Sequence, residues 1–241
     1  MITYSMYSDK GTRSNNEDSV GMQNNNDGYC FVLCDGLGGH SKGEVASQTA
    51  VSQVCRYFNE AEKTETFIKD SIGQAQSAIL KCQKENRELY DMKTTIVVLV
   101  TDGKSVQWGH VGDSRLYHFR KNKILRRTLD HSVPQMLVRA GEIKEKEIRM
   151  HPDRNRLLRV LGANWSHEIG EISARYECKG KEVFLLCSDG FWELITEKEM
   201  IKLLKKSKSV DEWLNAMSDV VRANGQGKNM DNYSAIGVFI E

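Results

Sequence analysis

Proline is nearly absent from this chain of 241 residues, standing only at 134 and 152. There is also no Gly/Ser-rich linker, no low-complexity tract and no internal repeat, so one continuous domain over residues 1–241 is expected. An excess of either charge is lacking as well. Lys and Arg number 34 against 33 Asp and Glu, a formal net charge of +1. Polyanion binders carry a basic excess and acidic disordered tails the reverse, so nucleic acid is not an expected partner. Apolar runs stay short: the run at 96–100 has five residues, whereas a membrane span needs about 20. The opening stretch MITYSMYSDKG has neither the basic nor the apolar region of a secretory signal. A soluble, cytoplasmic monomer without a membrane partner is the expectation. The six cysteines show no Cys-x-x-Cys spacing, which argues for buried free thiols rather than a zinc site or a disulfide framework.

The apolar pattern that is present predicts mixed elements. Residues 29–34 form a near-continuous apolar run that stops at Asp35-Gly36, as a buried strand ending in a turn would. Apolar residues recur at helical spacing over 43–58 and again over 66–89. Strands are predicted over 94–101, 105–111, 115–120 and 123–128, with Asp102-Gly103 and Lys121-Asn122 as turns between them. A short helix over 132–140 stops at Gly141. Further strands are expected at 168–175, 182–187 and 233–240. Helices open at Thr196 with Glu199 and at Ser209 with Glu212. Strands in meanders with helices in separate pairs read as α+β with antiparallel sheets.

Three acids share one placement. Asp35 and Asp189 follow apolar runs and precede Gly, and Asp113 follows Trp108-Gly-His-Val-Gly112. Asp231 stands just before the last strand, and Asp18 follows Glu17 near the start. Carboxylates gathered at strand ends repel one another unless cations neutralise them. All-oxygen ligands select hard cations such as Mg²⁺, Mn²⁺ or Ca²⁺. An Asp-Gly after a strand is also an ordinary turn, so spacing alone leaves both readings open.

At these residues the sequence resembles the metal-dependent serine/threonine phosphatases of the protein phosphatase 2C (PP2C, or PPM) family, in their compact bacterial form. The resemblance runs through 13–18 (Arg-Ser-Asn-Asn-Glu-Asp), 35–47 (Asp-Gly-Leu-Gly-Gly-His-Ser-Lys-Gly-Glu-Val-Ala-Ser) and Thr94-Thr95. It continues through 109–115 (Gly-His-Val-Gly-Asp-Ser-Arg), 129–132 (Leu-Asp-His-Ser) and 154–156 (Arg-Asn-Arg). Leu161-Gly162, 187–193 (Cys-Ser-Asp-Gly-Phe-Trp-Glu) and Asp231-Asn232 complete it. It implies a four-layer αββα sandwich, two central antiparallel sheets flanked by helical pairs, with a flap at about 132–162. It implies two or three Mn²⁺ or Mg²⁺ ions. Asp35 would bridge two of them, the Gly36 carbonyl would bind one, and Asp189 and Asp231 the other. Glu17 and Asp18 would hold metal-bound waters, and Asp113 with Asp189 a third ion. Arg13 would grip the substrate phosphate through its fork of donors, and Asn232 would support the site.

The implied reaction is hydrolysis of phosphoserine or phosphothreonine by a metal-bridging hydroxide. Phosphorylated proteins would be the partners, a Ser/Thr kinase among them. No Cys-x5-Arg is present to supply a cysteine nucleophile. Leu37 stands where many eukaryotic members have a histidine, which leaves the general acid open, with His40 as a candidate. Two neighbouring readings share the fold: a phosphatase of a partner-switching regulator, and a non-catalytic phosphoprotein-binding module. The second predicts loss of at least one of the acids, and none is lost.

Overall fold

Two antiparallel sheets lie face to face between helices, because their central strands are apolar on both sides. The structure, a computed structural model, describes residues 1–38, 42–165 and 170–241. The chain opens with β1 (Ile2–Asp9), β2 (Asp18–Asn25) and β3 (Gly28–Leu37), then α1 (Lys42–Glu60) and α2 (Phe67–Glu85). Five strands follow: β4 (Lys93–Thr94), β5 (Ile96–Thr101), β6 (Ser105–Val111), β7 (Arg115–Arg120) and β8 (Lys123–Arg127). After α3 (Val133–Ala140) come β9 (Glu171–Ile172), β10 (Tyr176–Glu177) and β11 (Glu182–Cys187). The chain then runs through α4 (Asp189–Trp192), α5 (Glu197–Leu204), α6 (Val210–Gly225) and β12 (Tyr233–Ile240). One sheet has the order β1-β12-β11-β7-β8. The other has β10-β6-β5-β3-β2, with β4 paired to β3 and β9 to β6.

Strand parity assigns each side chain to a layer. On β3, Cys30, Val32 and Cys34 pack against Ala46, Val54 and Phe58 of α1 and Ile68, Ile72 and Ile79 of α2. Phe31 and Leu33, between them in sequence, face the other sheet and meet Phe184, Leu186, Ile236 and Val238. The odd residues of β11, Val183, Leu185 and Cys187, turn outward to Met200, Trp213 and Met217. Helix pair, sheet, sheet and helix pair are therefore joined by three apolar cores, the four-layer arrangement the resemblance implies. All six cysteines are free. Among the described residues no helix is long and apolar enough to cross a membrane.

The structure departs from the sequence expectations at particular points. Strands β1 and β2 were not expected, because their residues are half-buried and lack an apolar run. Strand β3 does not turn at Asp35-Gly36; it continues to Leu37, because Gly36 and Leu37 pair with Thr94 and Lys93. The strand expected over 94–101 breaks at Thr95, between β4 and β5. Helix α2 ends at Glu85, and extended Asn86 accepts the Glu88 N–H to start a separate 3-10 turn. Of the strand expected over 168–175, only β9 forms among the described residues, and residues 166–169 lie outside them. Arg127, at the end of β8, pairs with Glu145 and donates to Gln135.

The stretch 132–158 is tied down by backbone bonds. Val133 N donates to Arg156 O at 2.9 Å, and Leu158 N to His131 O at 2.7 Å. Ser132 caps α3, and Gly141 ends it at φ +78°, a left-handed conformation that glycine adopts without strain.

Phe184 is fully buried between the sheets. Phe184→Ala is expected to cost about 3–5 kcal/mol of unfolding free energy, read from urea denaturation. A cost below about 1 kcal/mol would contradict an intersheet core at this position.

Candidate active site

The two sheets present their acidic ends on the same side. In one sheet, Asp18 opens β2 and lies directly opposite Asp35 near the end of β3. In the other, Asp189 follows β11 as the first residue of α4, and Asp231 precedes β12. Asp113 follows β6, beyond Gly112 at φ +106°. Between them is a cavity of about 530 Å³ whose lining includes Arg13, Glu17, Asp35, Gly36, Asp113, Asp189, Asp231 and Asn232. Leu37 also lines it. Asp18 does not: it is buried beneath, 7% exposed. His40 lies outside the described residues.

Short-range bonds hold these groups in place. The Asp35 amide donates to Thr95 Oγ1 at 3.0 Å. The Asp35 carbonyl accepts from Thr94 Oγ1 and from Thr95 N, both at 2.8 Å. Its backbone is thereby fixed while its carboxyl faces the cavity. Thr95 Oγ1 continues to Ser114 Oγ at 2.7 Å, next to Asp113. Gly36 admits no larger residue: a Cβ there would lie 2.2 Å from the Gly43 carbonyl oxygen and 2.6 Å from that of Glu17. Asn232 Oδ1 accepts the Glu17 amide at 2.7 Å. Its Nδ2 donates to the Lys10 and Asn15 carbonyls at 3.0 and 2.9 Å. One side chain thus fastens the loop bearing Arg13 and Glu17 to the start of β12. Arg13 Nη2 donates to Asp231 Oδ2 at 2.9 Å, with both side chains still partly open to solvent.

Other groups that hold the site had no assigned role in the sequence reading. Ser188 Oγ donates to Asp18 Oδ2 at 2.8 Å and accepts Ser234 N–H at 2.9 Å. Trp192 Nε1 donates to the Asp113 carbonyl at 3.0 Å. The guanidinium of Arg115 stacks on Trp192 at 3.4 Å and grips Asp130 through two bonds of 2.8 and 2.7 Å. Arg115 is 1% exposed, so this is a buried, fully paired charge. Asn155 and Leu157 line the cavity from the flap. The only sequence signal for them was the Arg-Asn-Arg stretch at 154–156.

Without a counter-charge, burial and neighbouring acids raise the pKa of Asp18, Asp35, Asp113 and Asp189. Burial pushes Asp35 well above the usual carboxylate range, and the charges of Asp189, Asp18 and Asp113 push it further. Asp113 is raised by burial and then by Asp189 and Asp130, and Asp189 by burial and then by Asp231. Burial lifts Asp18 to about 7, against the hydrogen bonds from Ser234 and Ser188. Burial and then Asp231 raise Glu17, while Arg13 opposes them. Glu193, 3.1 Å from Arg154, reaches about 7 through burial and Asp189.

A cation fits this donor set. The oxygens are hard, the carboxyls repel one another, and Asp18 Oδ1 is buried with no hydrogen-bond partner. A second cluster, His110, His131 and Glu171, is less suited. Its imidazoles stack with planes 5° apart and centroids at 4.7 Å, so their in-plane lone pairs run parallel instead of converging. Burial keeps this pair neutral, with His131 lowered to about 3.

Fold and cleft together describe a double-sheet hydrolase whose acids converge from both sheets. That class matches the family model described as protein phosphatase 2C over residues 7–233. The chain belongs to the protein phosphatase 2C family. It is 33% identical over 222 residues to the serine/threonine phosphatase stp of Listeria welshimeri, covering 89% of this chain and 86% of that one. It is 30% identical over 208 residues to the serine/threonine protein phosphatase PstP of Mycobacterium tuberculosis, covering 85% of this chain and 39% of that longer one. The serine/threonine phosphatase Stp1 of Staphylococcus aureus superposes with a TM-score of 0.90 at 29% identity, covering 100% of this chain and 96% of the other. The PstP catalytic domain in complex with 2 manganese ions gives 0.84 at 26% identity, covering 100% and 99%.

The raised Asp18 has a consequence for cation-free protein. Folded, Asp18 keeps its proton up to about pH 7; unfolded, it loses it near pH 4. The contribution of Asp18 to stability is therefore greatest at low pH and falls as pH rises through this window. Melting temperatures of EDTA-treated protein should drop more between pH 5 and pH 8 in the wild type than in Asp18→Asn. Equal drops would contradict the raised value.

Proposed function

We propose that this chain is a metal-dependent protein serine/threonine phosphatase, a single catalytic domain over residues 1–241 with its flap at about 132–162. Its substrates are phosphoserine and phosphothreonine proteins, and it opposes a Ser/Thr kinase. Membership of the protein phosphatase 2C family and the serine/threonine phosphatases among its relatives support this reading. The observation that carries it is the convergence of Asp35, Asp113, Asp189 and Asp231 with Arg13 on one cavity, above buried Asp18.

Two or three Mn²⁺ or Mg²⁺ ions would be held by Asp35, the Gly36 carbonyl, Asp189 and Asp231, with Asp18, Glu17 and Asp113 completing the set. When bound, the ions supply activation of water and neutralisation of phosphoryl charge. The chain's own residues do the rest. The backbone bonds from Thr94 and Thr95 fix Asp35, so its carboxyl has few orientations to lose on ligation. Arg13 lies on the rim, and among the described residues its ion-pair partner is half-exposed Asp231. Its planar fork can exchange that carboxylate for two oxygens of a phosphoryl group. Asn232 sets the height of the Arg13 loop above the acids. Asn155 and Leu157 form the wall a peptide substrate would pass.

Purified protein should hydrolyse p-nitrophenyl phosphate and a phosphothreonine peptide with Mn²⁺ and stop on addition of EDTA. Asp35→Asn should lower kcat/KM by more than about 100-fold; an unchanged rate would refute the site. Arg13→Ala should lower kcat/KM by about 10- to 100-fold, and Arg13→Lys should recover little of it, because a single ammonium cannot reproduce the bidentate fork; full recovery would contradict the bidentate role.

A further inference from the structure

The end of the sandwich opposite the acidic cavity is basic. The acids cluster beyond Cys187 of β11 and before Tyr233 of β12; at the other ends of these strands lies a second cavity of about 390 Å³. The six residues of β11, at about 3.4 Å each, put the two on the order of 20 Å apart. The floor of this cavity is apolar and buried: Phe119, Val183, Leu204 and Phe239. Its rim is cationic: Arg120 and Lys121 at the β7–β8 turn, Lys179 and Lys181 before β11, and Lys205 after α5. Among the described residues no acidic side chain lines it.

Arg120 lies 3.4 Å from buried Glu182 and Lys181 pairs with Glu241, which leaves Lys121, Lys179 and Lys205 as a local excess of positive charge in a chain of net charge +1. Elements of the fold keep it in place. The β7–β8 turn has Lys121 and Asn122 at φ 50° and 56°, a two-residue hairpin that presents the lysine at the strand end. Arg120 Nη2 donates to the Lys179 carbonyl at 3.0 Å, joining the two basic turns. The Lys181 ammonium lies 4.9 Å from the centre of the Phe239 ring and pairs with Glu241. Among the described residues no carboxylate pairs with Lys121, Lys179 or Lys205. Favourable interaction with a helix C-terminus accounts for Lys205, the residue that caps α5, but not for the other two.

We propose that this cavity docks an acidic segment of the phosphoprotein substrate, with an apolar side chain over the floor and carboxylates against the lysines. The proposal rests on the phosphatase reading. Charge complementarity selects a polyanion, and the concave form of the cavity selects a peptide, whose side chain can enter it, since the Lys181 ammonium already lies over the Phe239 ring and leaves no open platform for base stacking. Docking this far from the chemistry strengthens ground state and transition state alike. It therefore lowers KM and leaves kcat unchanged.

The test compares full-length wild type with the triple variant Lys121→Glu, Lys179→Glu, Lys205→Glu. The substrates are p-nitrophenyl phosphate and phosphothreonine peptides with or without a Glu-rich, Leu-containing extension. The extension is placed about ten residues from the phosphate, enough to span the distance. Fluorescence anisotropy follows the labelled extension alone, without phosphate, against a short single-stranded RNA as rival. In the wild type the extension should bind and lower KM about tenfold. In the variant both effects should vanish at unchanged turnover of p-nitrophenyl phosphate, which also reports that the variant is folded. The docking proposal is overturned if the extension neither binds nor changes KM, if the variant retains both effects, or if RNA binds more tightly than the peptide. Failure of the wild type to hydrolyse p-nitrophenyl phosphate would count against the phosphatase reading separately, because the anisotropy measurement requires no catalysis.

Discussion

Mutual repulsion among buried carboxyls is the constraint on which this structure turns. Asp18, Asp35, Asp113 and Asp189 are each raised above the ordinary carboxylate range, with burial as the largest cause and neighbouring acids behind it. Such an arrangement is unfavourable for a fold considered alone. It persists because the groups are attached to elements whose stability comes from elsewhere: three apolar cores that extend through four layers. The sandwich supplies the rigidity, and the strand ends place the charges where cations or protons must balance them.

That placement is a backbone matter as much as a side-chain one. Asp35 is not at the tip of a turn but within a paired strand, its amide and carbonyl both engaged by Thr94 and Thr95. Gly36 is confined by the Glu17 and Gly43 carbonyls, which any Cβ would strike. Asp113 is held from the opposite side through its carbonyl by Trp192, and Trp192 by the paired guanidinium of Arg115. The acids are thus set by a continuous series of hydrogen bonds between the two sheets, and substitutions in that series act on the site without touching substrate.

Part of the fold was legible because both-face burial writes itself as unbroken apolar runs: β5 and β11 read directly from their residues. Strands β1 and β2 were not, because half-buried edge strands such as Ser19-Val20-Gly21-Met22 carry too weak a pattern. The acids were visible as residue types after apolar runs, and the family resemblance ordered them into a site. What neither pattern nor resemblance supplied was the support beneath them. Ser188, Asn155 and the Arg115–Asp130 pair belong to contacts across long sequence distances, Ser188 meeting Asp18 from 170 residues away. The break at Thr95 was invisible for the same reason, since it follows from pairing with β3 rather than from local propensity. Nor does any local pattern bring Lys205 together with Lys121 and Lys179, which meet only in the folded chain.

The central claim is that the strand-end acids form a divalent-cation site, and an anomalous-difference map from crystals soaked in Mn²⁺ tests it most directly. Peaks bounded by Asp35, Asp189 and Asp231, with the buried Asp18 behind them, are predicted. Featureless density among these four residues at a concentration that supports turnover would contradict the account.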